Sequence, residues 1–516
     1  MTLGDRRWAW FVPAALVWAW YLWFAVDARA EFFMEDAAYL SHGTIRSVGD
    51  LVATWTQPPG TRVGFNFRPA TTTFYGVLAG IFGLKPIIFR VANLVLLALT
   101  AGVLSRLFTR LGFPASWSGC LLATWMLSPA VPNLVYWGVG SFDLLAGLFG
   151  TIALFVAMSA AGWGAAVVTG HLFLFACFAK ESCVGLLVLL VAAAGLRLGR
   201  EHAFRVGACS AIAAAVWFAA FSQVADPVPL PNAWALLVAL VHYSGWLLIL
   251  PSTVGAMYHE FEPSSFWPAA QGALVIAGWL AVGLVRAGWQ DWGRWWLVGG
   301  LGAGVLLVAP ALAVPTFHVE PVRYLYLPFT LALPALSAGL YGMVAGLRSA
   351  SVALVVALGG AALLVWQASY ALPRPWAWIN SGGLWEAECA NDPNYRHAFF
   401  LATHLATKAG TKADFERTLV LLDQVEQAVP RDGRPLAVDY CAVASWRSYG
   451  TYCLERDAEA ARVVGDAQSA CSAYAGNARH PMYKGTSCIF ARLGGTVDGV
   501  AMDADAACAE HAPACR

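Results

Sequence analysis

IFRVANLVLLALTAGVLSR, residues 88–106, is the stretch on which the fold turns. The hydrocarbon core of a bilayer is about 30 Å thick and a helix rises about 1.5 Å per residue, so a crossing needs roughly 20 mostly apolar residues. This stretch meets that need, and others like it recur along the chain. The predicted spans, about eleven, are 8–26, 88–106, 115–132, 142–160, 164–179, 183–197, 205–223, 268–286, 295–314, 324–346 and 350–369. Of these, 164–179 and 183–197 are short for the task. Residues 8–26 follow Arg6 and Arg7 as a signal peptide would, but no small-residue cleavage site ends them and more spans follow, so they read as a retained helix.

Composition agrees. The chain of 516 residues is 59% hydrophobic and 12% charged, with a mean hydropathy of +0.60. A soluble domain of this size needs more charge to cover its surface. About half of the charge lies after residue 373. The net charge of +1 gives no broad field for nucleic acid, and no repeat of solenoid period stands out. The expected fold class is all-α, with a membrane domain over 1–372 and a cysteine-rich helical domain over 373–516.

Basic residues set the orientation. Arg6, Arg7, Arg106, Arg110, Arg197, Arg200, Arg205, Arg286, Arg294 and Arg348 fall on one predicted side, the cytoplasm. The loops 27–87, 132–141, 224–267 and 315–323 and the C-terminal tail then face outward. Residues 233–251 are apolar enough to cross, but a crossing there would switch every later basic loop. They are expected to lie in the outer interface, which suits Trp234, His242 and Trp246. Trp23, Trp137, Trp295 and Trp296 read as belt residues. The tail holds Cys389, Cys441, Cys453, Cys471, Cys488, Cys508 and Cys515. That density points to disulfide stapling in an oxidising compartment. None of these cysteines has the two-residue spacing of a zinc knuckle, so no metal is expected there. The tail reads as helical over 397–429 and 456–474.

The first outward loop carries chemistry. It is long and rich in aromatic residues, and it opens with Glu35 and Asp36. A carboxylate at a membrane–water boundary can serve as a general base or hold a divalent cation; equally, the pair can cap a helix beginning at Ala37. Arg68 precedes Pro69, and a guanidinium near the interface suits a phosphate or snorkels to headgroups. Lys180 and Glu181 read as a charged pair at a helix boundary, and Asp143 as a helix N-cap. His318, Glu320 and Arg323 share a short outward loop. His242, His259, Glu260 and Glu262 fit no defined metal spacing.

Several stretches resemble, in order, the GT-C class of membrane glycosyltransferases. The likeness is to the branch of dolichyl-phosphate-mannose protein mannosyltransferases and transmembrane O-mannosyltransferases, with their bacterial relatives. The stretches are Glu35–Asp36, Arg68–Pro69, Phe82–Gly83, Asn93, WGVGSFDLLAGLF at 137–149, AKES at 179–182 and RYLYLP at 323–328. The resemblance covers roughly 8–370. It implies a polyprenyl-phosphate sugar as donor, an acceptor (protein, lipid or glycan) from the extracytoplasmic side, and membrane lipids as surroundings. It implies Asp36 as base with Glu35 as second carboxylate. It implies Arg68, Lys180 and Arg323 as phosphate-binding cations, and Tyr39, Trp137, Asp143, His318, Glu320 and Tyr324 as acceptor or cavity residues. A divalent cation at Glu35 and Asp36 is the one cofactor considered. The chain departs from the family in Ser141, where Arg is common, in Pro321 and Val322 between Glu320 and Arg323, in its Glu-Asp acidic pair, and in lacking a tetratricopeptide array. The competing expectations are a non-catalytic GT-C-like scaffold of an envelope complex and, third, a transporter. A transporter predicts charges at mid-span and duplicated halves. The Ala- and Gly-rich composition suggests a bacterial source, which would place the chain in the inner membrane and its tail in the periplasm.

Overall fold

The computed structural model describes residues 9–32, 36, 43–56, 67–223, 232–247, 259–260, 266–287, 291–317, 319–320, 322–345, 350–379, 381–391, 395–408, 411–428, 440–454, 458–460, 462–463, 496–497 and 500–501. The chain divides into two compact units, Met1–Asn380 and Ser381–Arg516. The division falls a little past the compositional break at 372. The reason is local: Trp376 packs edge-on against Phe24, and the Trp378 carbonyl accepts from Arg90, so residues 373–379 belong to the first unit.

In the first unit the helices are α1 (Val12–Ala25), α2 (Val48–Thr56), α3 (Pro69–Phe82), α4 (Pro86–Arg110), α5 (Ala115–Met126), α6 (Ala130–Tyr136), α7 (Ser141–Ser159) and α8 (Trp163–Ala179). After these come α9 (Leu186–Leu198), α10 (Arg200–Ser222), α11 (Ala233–Trp246), α12 (Phe266–Ala287), α13 (Asp291–Phe317), α14 (Tyr326–Ala345), α15 (Ala350–Ala371) and the single turn α16 (Arg374–Ala377). Tight 3-10 turns span Gly138–Gly140, Glu181–Gly185 and Val322–Leu325. His259–Glu260 pairs antiparallel with Val319–Glu320 over two residues.

Among the described residues, seven helical stretches are long and apolar enough to cross a membrane. They are Pro86–Arg110, Gly138–Ser159, Glu181–Leu198, Arg200–Ser222, Phe266–Val285, Asp291–Leu312 and Val322–Ala345. Shorter apolar helices cover Ala9–Ala25, Trp163–Ala179 and Ala233–Trp246. This pattern marks a helical membrane protein. The expected span 115–132 is not one helix. It breaks between α5 and α6, where Pro129 has no N–H to continue the ladder and bars the helical conformation before it. The Tyr21 hydroxyl donates to the Met126 carbonyl left at that break (2.9 Å). α11 has 14 residues, a length of about 21 Å, less than a hydrocarbon core. Its start is fixed by the Asn232 side chain accepting from Ala235 N (2.7 Å).

α7 sits at the centre of the bundle, packed by α4, α8, α9 and α14, with most of its side chains buried and none exposed. Association of apolar helices in a bilayer depends on close packing rather than on escape from water. Gly147 and Gly150 of α7 accordingly face the Tyr326 ring and the Leu331 and Leu186 side chains without room for a methyl group. Short turns join α7 to α8 and α9 to α10, so α7, α8 and α9 run antiparallel and share two ends. One end gathers Gly138–Asp143, Lys180–Leu186 and Val322–Tyr326. The other gathers Arg110, Ser159–Trp163 and Arg197–Arg200.

The second unit contains α17 (Ser381–Asn391), α18 (Tyr395–Lys408), α19 (Lys412–Ala428) and α20 (Tyr440–Cys453), and a two-residue antiparallel pair, Thr496–Val497 with Val500–Ala501. The single helix expected over 397–429 is two. Thr411 and Asp414 form a reciprocal cap: Asp414 N donates to Thr411 Oγ1 (3.3 Å) and Thr411 N to Asp414 Oδ2 (3.2 Å), which starts a new helix there. Trp385 stacks on Phe400 (4.6 Å), and Glu388 lies 3.6 Å from His397, both side chains fully buried. Of the tail cysteines, Cys453 is disulfide-bonded. Cys389 is a free thiol on α17, which corrects its place among the disulfide candidates. The Cys441 side chain and all of Cys471, Cys488, Cys508 and Cys515 lie outside the described residues, as does most of 456–474.

Candidate functional site

The site is built around the turn Trp137–Gly140. α6 ends at Tyr136, and its last carbonyls lack helical partners. Asn93, in the middle of α4, supplies one: its Nδ2 donates to Leu134 O (2.9 Å) and Trp137 O (2.8 Å). The turn then presents two backbone N–H groups side by side. Gly138 N donates to Asp36 Oδ2 (3.1 Å) and Val139 N to Asp36 Oδ1 (2.9 Å). Asp36 is fully buried. A side chain at position 138 would put its Cβ 2.9 Å from Asp36 Oδ1, so the close approach requires glycine. Asp36 therefore spans two segments about a hundred residues apart. Its carboxylate is bound to the turn after α6; the helix expected to begin at Ala37 lies outside the described residues.

Arg90 stands within electrostatic reach of Asp36. It is buried, donates to Glu31 O (3.0 Å) and Trp378 O (2.9 Å), and lies over the Tyr136 ring (5.7 Å). Sequence reasoning missed this residue. The signal was present: a lone charge inside an otherwise apolar span is rarely idle.

The remaining charges meet in pairs. Lys180 Nζ lies 2.5 Å from Asp143 Oδ1, with both side chains buried. Arg68 grips Glu181 with two bonds, Nε–Oε2 at 2.8 Å and Nη2–Oε1 at 2.5 Å. The neighbours Lys180 and Glu181 thus point to different partners, because an extended residue at 180 followed by a 3-10 turn turns their side chains apart. Asp143 is not the N-cap that was one reading of it; α7 starts two residues earlier without a side-chain cap, and the carboxylate reaches across to α8's end. Arg323 lies over the Trp137 ring (4.4 Å) and the Tyr324 ring (5.4 Å), and Lys180 also lies over the Tyr324 ring (5.0 Å). Arg68 lies over Phe142 (4.7 Å). Trp137 is consequently buried, and its expected role as a belt residue is corrected. Trp23 remains largely exposed.

Asp36, Arg68, Trp137, Asp143, Lys180, Arg323 and Tyr324 therefore belong to one cluster. Glu35, Tyr39 and His318 lie outside the described residues, and Glu320 is described only through its backbone pairing with His259. Four cations (Arg68, Arg90, Lys180, Arg323) and three carboxylates (Asp36, Asp143, Glu181) meet at this end, with Glu31 also within electrostatic reach of Arg90. Among the described residues, the buried polar atoms Trp137 Nε1, Ser141 Oγ, Asp143 Oδ2 and Ser182 Oγ of this cluster have no hydrogen-bond partner. Buried polar atoms are expensive when unsatisfied, so a cluster of them calls for a polar partner, water or ligand. No group of three His, Cys, Asp or Glu among the described residues is placed to hold a metal ion.

Fold and site together define a helical membrane protein with a buried ionic cluster at one end of its bundle. No protein family, curated protein or solved structure matches the chain.

Proposed function

We propose that this chain is a membrane glycosyltransferase. It moves a sugar from a polyprenyl-phosphate donor to an acceptor (protein, lipid or glycan) on the extracytoplasmic side of a bacterial inner membrane. About eleven spans, a disulfide-stapled second unit and its periplasmic position belong to the same proposal. The observation that carries it is the meeting of Asp36, Arg68, Asp143, Lys180 and Arg323, drawn from segments far apart in sequence, at one end of the bundle.

In this reading the acceptor hydroxyl attacks the anomeric carbon and gives its proton to Asp36. The new C–O bond forms as the sugar–phosphate bond breaks, and the electron pair leaves with the polyprenyl phosphate. The turn's two N–H groups bind one carboxylate oxygen each, which fixes the orientation of Asp36. Arg323, set against two aromatic rings, is the first candidate to stabilise the departing phosphate. Arg68 and Lys180 already neutralise carboxylates, so their part is to hold the cluster's shape. A divalent cation at Asp36 would compete with the turn's amides.

The same saturation of Arg68 and Lys180 favours the second reading, a non-catalytic scaffold. Asp36→Asn separates the two. Membranes carrying the full chain are given a panel of labelled polyprenyl-phosphate sugars. An enzyme loses transfer in the variant while expression persists and melting falls only by the one amide bond that asparagine cannot accept. A chain that transfers none of the sugars, or transfers equally as wild type and variant, is not the proposed enzyme.

A further inference from the structure

We propose that the opposite end of the bundle binds the headgroup of an anionic phospholipid. The proposal rests on the reading of this chain as a membrane protein and not on the proposed chemistry: α7 alone, at 19 residues, sets the two ends about 28 Å apart.

The site is assembled by backbone geometry. α4 ends at Arg110, and α9 carries Arg197 in its last turn. Gly199, at φ 91°, reverses the chain in one residue, and α10 starts at once with Arg200. Gly195 packs on Ala203 across this corner. Arg197 Nη2 then reaches sideways and donates to the Arg110 carbonyl at 3.0 Å, bringing its guanidinium to the residue that bears a second one. Arg110, Arg197 and Arg200 are all exposed. Nearby, Arg205 pairs with Glu201 and lies over the Trp163 ring at 5.8 Å.

Like charges drawn together repel. Part of that cost is offset at Arg110 and Arg197, which sit at helix C-termini where the dipole favours cations. Arg200 has no such compensation, since it opens α10, where the dipole disfavours positive charge. A general preference for basic residues on one side of the membrane accounts for arginines at this end. It does not require Arg197 to reach across to the end of α4. The contact closes a carbonyl left open at the end of α4; an anion among the three exposed guanidiniums offsets the repulsion that remains. The source of the anion follows from its surroundings: Trp163 is 54% exposed and Phe204 71% exposed beside the arginines. Aromatic rings at this depth suit the glycerol and first methylenes of a lipid and would be idle for free phosphate.

The test uses the purified full-length chain in nanodiscs of phosphatidylcholine with one-tenth phosphatidylglycerol, followed by gentle extraction and native mass spectrometry of retained lipid. Wild type retains phosphatidylglycerol well above the mixing ratio. Arg110→Gln with Arg197→Gln lowers that preference roughly 30-fold, about fivefold per arginine near an anionic surface. Should the double variant fail to fold, exposed Arg200→Gln alone lowers it several-fold. Retention at the mixing ratio in wild type overturns the proposal, as does equal enrichment in wild type and variants. Inorganic phosphate serves as the competitor: displacement of the lipid by millimolar phosphate, unaffected by Trp163→Ala, would identify a free-anion site and overturn the lipid assignment.

Discussion

Replacing Lys180 by methionine should strongly destabilise the membrane unit, and adding Asp143→Leu should undo most of the damage. The Lys180 and Asp143 side chains are 6% and 2% exposed and touch at 2.5 Å. Removing one partner leaves an uncompensated buried charge, which costs about 3–5 kcal/mol; replacing both by apolar groups of similar volume is typically neutral or better. Asp143 Oδ2 has no partner among the described residues even in the intact pair, so Lys180 is the main described group holding that carboxylate in place. The double-mutant cycle should therefore give a coupling of about 3 kcal/mol or more, far outside the additivity of independent sites. The structure supplies its own reporter. Cys177 and Cys183 flank Lys180 and are fully buried, so a thiol-reactive fluorophore reads the opening of this region during thermal unfolding. Exposed Cys120 and the partly exposed Cys209 and Cys389 give a background, removed by alanine at those three positions. Single variants within about 1 kcal/mol of wild type, or an additive cycle, would mean that the pair is solvated and the reasoning wrong.

Three further outcomes are expected. Gly138→Ala drives a Cβ into Asp36 and breaks two charge-assisted bonds, a loss of about 1.5–3 kcal/mol for each one not recovered; limited proteolysis of the membrane unit reads it, and wild-type resistance would contradict the geometry. Arg68→Lys keeps the charge but cannot make the forked contact with Glu181. The melting temperature should fall, by the equivalent of about 1–2 kcal/mol because Glu181 is partly exposed, and an unchanged melt would show the fork to be dispensable. Burial pushes the Cys389 thiol up to about 11. Its folded value lies above the unfolded one, so its contribution to stability is present below the ordinary thiol range and fades as pH rises through about 11. Alkylation at pH 8 should be much slower than for a free peptide thiol and should rise steeply toward that value; rapid labelling at pH 8 refutes it.

The helices of this chain were legible because their cause is local. An unbroken apolar run of sufficient length is a helix in a bilayer whatever surrounds it. Where the local rule had an exception, the sequence showed it less plainly. Pro129 splits the expected span at 115–132, and the Thr411–Asp414 cap splits the expected helix at 397–429. Asp36, Arg68, Lys180 and Arg323 were identifiable as polar residues at predicted helix ends, where charge in an apolar chain demands a reason. Arg90 was overlooked because it sits within a span that otherwise reads as lipid-facing.

The sequence by itself determined that the first 380 residues or so are built from apolar helices, that their charges collect at helix ends, and where most of those ends lie. Only the tertiary structure decided that Lys180 meets Asp143 and not its neighbour Glu181, that Glu181 belongs to Arg68, and that Asp36 is held by two amides of the turn after α6. Helix formation depends on residues three or four apart. These partners lie 37 and 113 residues apart, or about a hundred for Asp36, and which of them meet is set by how whole helices pack.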